Sequence, residues 1–255
     1  MTEPKILHFD IETAPILAYT FSLFKPIIGM NQIVEHPRVI CWSAKWHGKG
    51  NNVQFMSEYH DGYVAMLIGM RDLLNEADIV VGYNSDRFDI TWLRGEFAVN
   101  NIEAPSPYRT IDLFKVNKQN FRFPSGKLDY LSLRILDDRK VAHEGFGLWM
   151  ECIAKEDSPK KAAAWKRMKK YALKDTALLE PLFEALLPYI KGLNFGLYSG
   201  EKFVCTHCGS GDLQKRGYMY TNASRFQRYY CNTCGGWSSD SKRIDTTQLR
   251  PIAAG

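Results

Sequence analysis

Apolar positions recur along the first three-quarters of the chain with two different periods. Alternation and short apolar runs predict strands at 5–11, 38–46 and 52–56, the last two joined by a Gly- and Asn-rich turn at 47–51. Val64, Met66, Leu67, Met70, Leu73 and Leu74 fall at helical spacing and predict a helix over 62–75. A buried strand follows at 77–83, then a helix through Ile90, Leu93, Phe97 and Ala98, a strand at 108–113, and mostly helix as far as 190. A three-stranded meander followed by alternating helices and strands describes an α/β sheet of mixed direction flanked by helices. The periodicity lapses in GLNFGLYSG at 192–200, and beyond it aromatics alternate with Thr, Ser and basic residues, with too few aliphatics for an independent core. The expected organisation is a domain at 1–192, a linker at 193–202, a small metal-dependent module at 203–247 and a tail at 248–255. Residues 14–37 interrupt the pattern after the first strand with exposed-looking apolar residues (Tyr19, Phe21, Phe24, Ile27, Ile28), expected to pack on the domain as a surface loop.

Composition changes this picture in two ways. With 45% hydrophobic and 24% charged residues among 255, the chain is globular, which excludes disorder and fibrous repeats. The net charge of +5 is concentrated near the end: residues 201–255 carry eight lysines and arginines against four acids. MTEPKILHFDIET lacks the cationic start and long apolar stretch of a signal peptide, and no segment approaches the roughly 18 apolar residues of a membrane span. A cytoplasmic protein with no membrane partner is expected.

Three groups of acids carry candidate chemistry. Asp10 and Glu12 flank Ile11 on the first strand, and a period of two points both carboxylates to one face of the sheet. Adjacent acids on one face repel unless a cation lies between them. In GYNSDRFD (82–89) a buried strand gives way to a helix that Asn84 or Ser85 can cap, with Asp86 and Asp89 near its start. Taken alone, those two acids do no more than complement the helix dipole. In YALKD, Tyr171 and Asp175 lie one helical turn apart on a face continued by Leu178, Leu179 and Leu182, so Asp175 is directed inward, where an acid without a partner is costly.

Read as an ordered set, FDIET, GYNSDRFD and YALKD resemble the three exonuclease motifs of the DEDD superfamily of 3'-5' exonucleases, and GYNxxxFD with YxLKD is closest in wording to the proofreading domain of family B DNA polymerases. Tyr171 places the resemblance in the tyrosine subgroup; the histidine subgroup needs His where Lys170 stands. The resemblance spans most of residues 5–190 and agrees with an element order typical of the ribonuclease H-like fold. It implies that Asp10, Glu12, Asp89 and Asp175 hold two Mg²⁺ or Mn²⁺ ions, with Asp10 bridging both. Asp89 is preferred over Asp86 because the family places its acid directly after the aromatic residue, here Phe88. Tyr171 is implied to orient the attacking water, since an ordinary phenol is a poor base at neutral pH.

Six cysteines remain. Cys41 and Cys152 sit alone in apolar surroundings as core residues, whereas Cys205/Cys208 and Cys231/Cys234 form two CxxC pairs with 22 residues between them, a set that reads as one structural Zn²⁺ site in a zinc ribbon. His207, between ligands, is not expected to be one. Lys215, Arg216, Arg225, Arg228 and Tyr229 between the pairs suit phosphate neutralisation with base stacking. Ser158 and Pro159 open a helix rich in lysine, including Lys170 and Lys174, beside Tyr171. Strand contacts are therefore expected from Asn84, Phe88, Lys170 and Lys174 in the first domain and from the basic residues of the ribbon. The expected function is a free-standing 3'-5' exonuclease on single-stranded DNA, with the ribbon holding the strand or docking a replication or repair protein. RNA as substrate, a structure-selective endonuclease on the same fold, and a non-catalytic nucleic-acid-binding accessory protein are the alternatives.

Overall fold

The structure is a computed structural model that describes residues 4–140 and 145–253. Residues 141–144 of the expected helical run, 1–3 of the first domain and 254–255 of the tail lie outside the described residues. The chain divides into two compact units, Lys5–Leu182 and one made chiefly of Phe183–Gly255.

In the first unit, β1 (Ile6–Thr13) leads into an insertion holding the short hairpin β2 (Leu17–Ala18) and β3 (Ile33–Glu35), and then into β4 (Val39–Trp46) and β5 (Gln54–Ser57). There follow α1 (Tyr63–Glu76), β6 (Ile79–Gly82), α2 (Asp89–Val99), β7 (Arg109–Asp112), α3 (Leu113–Asn120), α4 (Leu128–Leu136), α5 (Phe146–Cys152) and α6 (Pro159–Leu186). The five-stranded sheet has the order β5-β4-β1-β6-β7. Its meander strands pair antiparallel, while β1, β6 and β7 run parallel, as crossover connections through helices require. This is the mixed-direction α/β sheet flanked by helices that the element order anticipated.

The period-two alternation of β1 separates two cores. Leu7, Phe9 and Ile11 pack with Trp42, Met66, Met70, Leu93 and Phe97 on the α1/α2 side. On the opposite side, Ile40, Cys41, Leu148, Cys152, Trp165 and Met168 pack together beneath α5 and α6. Ser158 opens α6 as expected, its hydroxyl accepting the Lys161 amide at 3.2 Å. The insertion differs from expectation: Phe21, Leu23, Phe24 and Ile27 remain at least 87% exposed, because only the hairpin ends pair and the apolar tip has no surface of its own unit to cover it among the described residues.

The second unit holds a helical turn, α7 (Gly196–Ser199), and an antiparallel sheet of β8 (Leu213–Tyr220), β9 (Ser224–Cys231) and β10 (Trp237–Thr246) in the order β10-β9-β8. Residues 193–202, expected as a linker, carry α7 and the buried Phe195, whose ring lies 6.1 Å from Phe183 and whose amide donates to the Thr206 carbonyl. β8 and β10 are almost wholly exposed, in keeping with a module too thin to be held by apolar burial.

Candidate metal-binding active site

With Leu7, Phe9 and Ile11 committed to one core, His8, Asp10 and Glu12 face the other side of the sheet, under α6. The helix is fixed there by polar contacts. Ser43, directly opposite Asp10 in the β1–β4 register, donates to the Ala172 carbonyl at 2.9 Å and meets the Thr176 hydroxyl at 2.6 Å. Asp175 is thereby held over β1, and Asp10, Glu12 and Asp175 each offer a carboxylate oxygen within 4.8 Å of the others.

Asp89, the first residue of α2, reaches the same place by another route. Its Oδ1 accepts the Ile11 amide at 3.0 Å, the backbone group between Asp10 and Glu12. Asp86 instead pairs with Lys115 at 2.7 Å, which removes it from competition. The turn before α2 departs from expectation. Neither Asn84 nor Ser85 caps the helix, whose N-cap position is Phe88 without a side-chain bond. Asn84 is left-handed (φ 62°) and its amide donates to Asp112 at 2.8 Å, while the buried Ser85 folds back on Gly82 so closely that a Cβ there would lie 2.5 Å from that of Ser85. The segment is therefore a tight turn, and Gly82 makes it possible.

Crowding four carboxylates has a clear electrostatic result. Burial, then the neighbouring Asp89, Glu12 and Asp175, push Asp10 well above the carboxylate range. Glu12 is pushed up to about 8, chiefly by burial and then by Asp175, against the opposing effects of Lys140 and of a hydrogen bond from Trp149. Burial raises Asp89 to about 7 despite its amide bond to Ile11. Tyr171 is raised far above an ordinary phenol by burial and the surrounding acids, so it stays protonated and acts as a donor.

Lys140 was not foreseen. Its ammonium pairs with Asp175, donates to the Tyr171 hydroxyl at 3.1 Å and sits 5.1 Å from the centre of that ring. Burial pulls its pKa down, but Asp175, Asp10 and Glu12 outweigh burial and hold it above the usual lysine value. No local pattern marks this residue, because the contact is made by chain folding across more than thirty positions. A cleft of about 800 Å³ opens beside Tyr171, lined by Tyr83, Asn84, Lys127, Arg139 and Lys140. Of the other expected strand contacts in this unit, Phe88 is about one-third exposed, Lys170 is exposed and Lys174 is paired with Asp138 at 2.6 Å.

The second unit gathers all four CxxC cysteines. Cys205 Sγ lies 3.7 Å from Cys234 Sγ, and Cys208 Sγ 3.7 Å from Cys231 Sγ. These separations are far beyond a disulfide and match the roughly 3.8 Å edge of a tetrahedron with metal–sulfur bonds of about 2.3 Å. Gly209 (φ 76°) and Gly235 (φ 75°) turn the chain after each pair, and the amides of His207 and Gly236 point at Cys205 and Cys234 sulfur at 3.3 and 3.4 Å. The His207 ring nitrogens lie 2.9 and 3.2 Å from the carbonyls of Leu187 and Trp237, and the candidate ligand group consists of the four cysteines without it.

Of the expected nucleic-acid residues in the ribbon, Tyr229 is corrected. It is buried and packs edge-on to Phe203 at 4.9 Å, because the ribbon needs an aromatic to fill its small core. Arg216, Arg225 and Arg228 lie over Tyr230, Tyr218 and Trp237 at 4.8, 4.8 and 4.4 Å, and Lys215 is exposed. Arg225 also pairs with Asp245 at 2.5 Å.

No protein-family model matches the sequence, and no curated protein sequence does either. Among solved structures, the chain is similar to the family B DNA polymerase from the hyperthermophilic archaeon Pyrobaculum calidifontis, at 13% sequence identity and a TM-score of 0.49. The similarity covers 89% of this chain and 33% of the polymerase chain, so the chain spans about a third of the length of the protein it matches. Among the described residues, no helix is long and apolar enough to cross a membrane.

Proposed function

We propose that the protein is a 3'-5' exonuclease that releases nucleotides from the 3' end of single-stranded DNA. The observation that carries this reading is the convergence of Asp10, Glu12 and Asp175, with Asp89 anchored on the intervening amide, from the three segments whose wording resembles the exonuclease motifs. Clustered, partly to fully buried carboxylates, of which Asp10 and Glu12 are raised by burial and by the neighbouring acids, form a donor set for hard divalent cations. Mg²⁺ or Mn²⁺ held by Asp10, Glu12, Asp89 and Asp175 would supply charge stabilisation at the scissile phosphate and a more acidic water. The overall reaction forms a bond from water oxygen to phosphorus, breaks the bond to the 3' oxygen of the preceding nucleotide, and returns a proton to that oxygen.

The chain's own residues account for the rest. Tyr171, locked in its protonated form, orients the attacking water through its hydroxyl and does not take its proton. The cleft beside it offers Lys127 and Arg139 to phosphate oxygens and the Tyr83 ring to a base. The four cysteines hold one Zn²⁺ that folds the ribbon, and Lys215 with the arginines of β8 and β9 neutralises the strand backbone. DNA is preferred over RNA on the motif wording alone, and docking of a replication or repair protein is the alternative to strand binding as the ribbon's role.

The test is a 5'-labelled single strand incubated with the protein and Mg²⁺ or Mn²⁺, beside Asp10→Ala. A ladder shortening from the 3' end, absent in the variant, is expected; strand binding without cleavage in either metal would reject the proposal. DNA and RNA strands of one sequence, run in parallel, decide the sugar preference.

A further inference from the structure

The face of β1 that carries Asp10 and Glu12 continues two residues earlier to His8, which is completely buried. Its Nε2 lies 3.3 Å from Nδ1 of His47, just beyond the end of β4. The same Nδ1 lies 3.2 Å from Oε1 of Glu180, which sits on α6 five residues after Asp175. His8, His47 and Glu180 each present one potential ligand atom within 4.8 Å of the other two. All three belong to the unit Lys5–Leu182.

We propose that His8, His47 and Glu180 form a further metal site, of the two-imidazole, one-carboxylate type, which takes a borderline transition ion such as Zn²⁺ or Co²⁺. It is separate from the acid centre and from the four cysteines, and it does not depend on the nuclease reading.

Four observations support the assignment. The two contacts at His47, 3.3 and 3.2 Å, agree with the roughly 3.3 Å edge of a tetrahedron whose metal–nitrogen bonds are about 2.0–2.1 Å. A single ring nitrogen carries at most one hydrogen, so His47 Nδ1 cannot make two linear hydrogen bonds to His8 and Glu180, whereas one cation satisfies three lone pairs together. The carboxylate is held as ligating carboxylates are: Oε1 accepts the Gly48 amide at 2.6 Å and Oε2 is paired with Lys45. Finally, the His47 side chain is 31% exposed, which leaves a route for the ion and a position for water as fourth ligand.

Lys45 also sets the selectivity. It lies directly opposite His8 in the β1–β4 register and occupies the second oxygen of Glu180, leaving one carboxylate oxygen beside two imidazoles. The site then offers mainly imidazole nitrogen, which suits Zn²⁺ and Co²⁺ and disfavours Mg²⁺ and Ca²⁺. Occupancy would tie β1, the β4–β5 turn and α6 together, joining the strand that carries Asp10 to the helix that carries Asp175.

The experiment uses the full chain with its cysteines loaded with zinc and excess Mg²⁺ present, titrated with Co²⁺. One Co²⁺ per chain is expected, with visible d–d bands and no near-ultraviolet thiolate-to-cobalt band. Asp10→Asn should retain that uptake. His47→Gln, at a partly exposed turn, and Glu180→Gln should weaken it by more than about 100-fold, since loss of an outer-shell partner alone costs 10–100-fold. Should Glu180→Gln fail to fold with Lys45 left unpaired, His47→Gln with an unchanged circular dichroism spectrum carries the test. Equal uptake by wild type and folded His47→Gln, loss of uptake in Asp10→Asn, or no thiolate-free cobalt signal in the wild type would each overturn the site.

Discussion

Lowering the pH from 8 to 6 should weaken divalent-cation binding at the acid centre by about 50-fold through Glu12 alone. Burial and Asp175 push this carboxyl from 4.5 to about 8. A group of that pKa is roughly half ionised at pH 8 and about 1% ionised at pH 6. A cation binds the ionised form and displaces the proton, so the apparent affinity follows the ionised fraction. Asp10 and Asp89 are shifted in the same direction and steepen the dependence. Calorimetric titration with Mn²⁺ at pH 6, 7 and 8 and constant ionic strength, on zinc-loaded protein, measures it directly. In a Glu12→Gln protein, one titrating group is gone and the remaining slope should be shallower. An affinity equal at pH 6 and pH 8 would refute the reasoning, because it would mean that the acids are already ionised and that their burial carries no electrostatic consequence.

The same shifts fix the stability of the cation-free protein. Between about pH 4.5 and 8 the folded state holds protons on these acids that the unfolded chain has released, so stability should fall as pH rises through that window, and Mn²⁺ should restore it; thermal melts with and without Mn²⁺ check the sign. Tyr171→Phe, which leaves the ring packed but removes the hydroxyl, should lower single-turnover cleavage by about 100-fold while strand affinity stays within a factor of two or three, and unchanged cleavage would remove Tyr171 from water positioning. Replacing Cys231 and Cys234 by Ser should abolish one bound zinc per chain and the ribbon's protection from proteolysis, and full zinc content would refute the four-cysteine site. Lys215→Ala should weaken single-strand binding similarly for all sequences and reduce the slope of log affinity against log salt by about one, whereas an unaltered slope would favour a protein-docking role for the ribbon.

Local periodicity was legible in the sequence because the backbone itself sets it. Alternation on β1 puts Asp10 and Glu12 on one face and Leu7, Phe9 and Ile11 on the other, whatever packs there. Helical spacing puts Tyr171 and Asp175 one turn apart, and the CxxC pairs followed by glycine announce their own turns. These features sufficed for the fold class, whereas the choice of acids for the centre came from the resemblance of the three ordered segments to the exonuclease motifs.

Contacts between distant segments depend on sheet register and helix docking, which leave no local mark. The motif wording already preferred Asp89 over Asp86, but only the tertiary structure shows the contacts that part them: Asp89 bonds to the Ile11 amide, whereas Asp86, three residues earlier, pairs with Lys115. Only it brings Lys140 among the acids, and only it turns Tyr229 inward against Phe203 while its neighbour Arg228 stays on the surface over Trp237. His8, His47 and Glu180 show the same division most sharply. Each is unremarkable in its own segment, and they meet because Ser43 and Lys45 on β4 dock Thr176 and Glu180, one turn apart on α6, opposite Asp10 and His8 of β1. The sequence determined which faces carry chemistry; the register of β1 on β4 and the seating of α6 decided which side chains share it, because those are fixed by burial and hydrogen bonding between distant segments, in the case of α6 more than a hundred residues from β4.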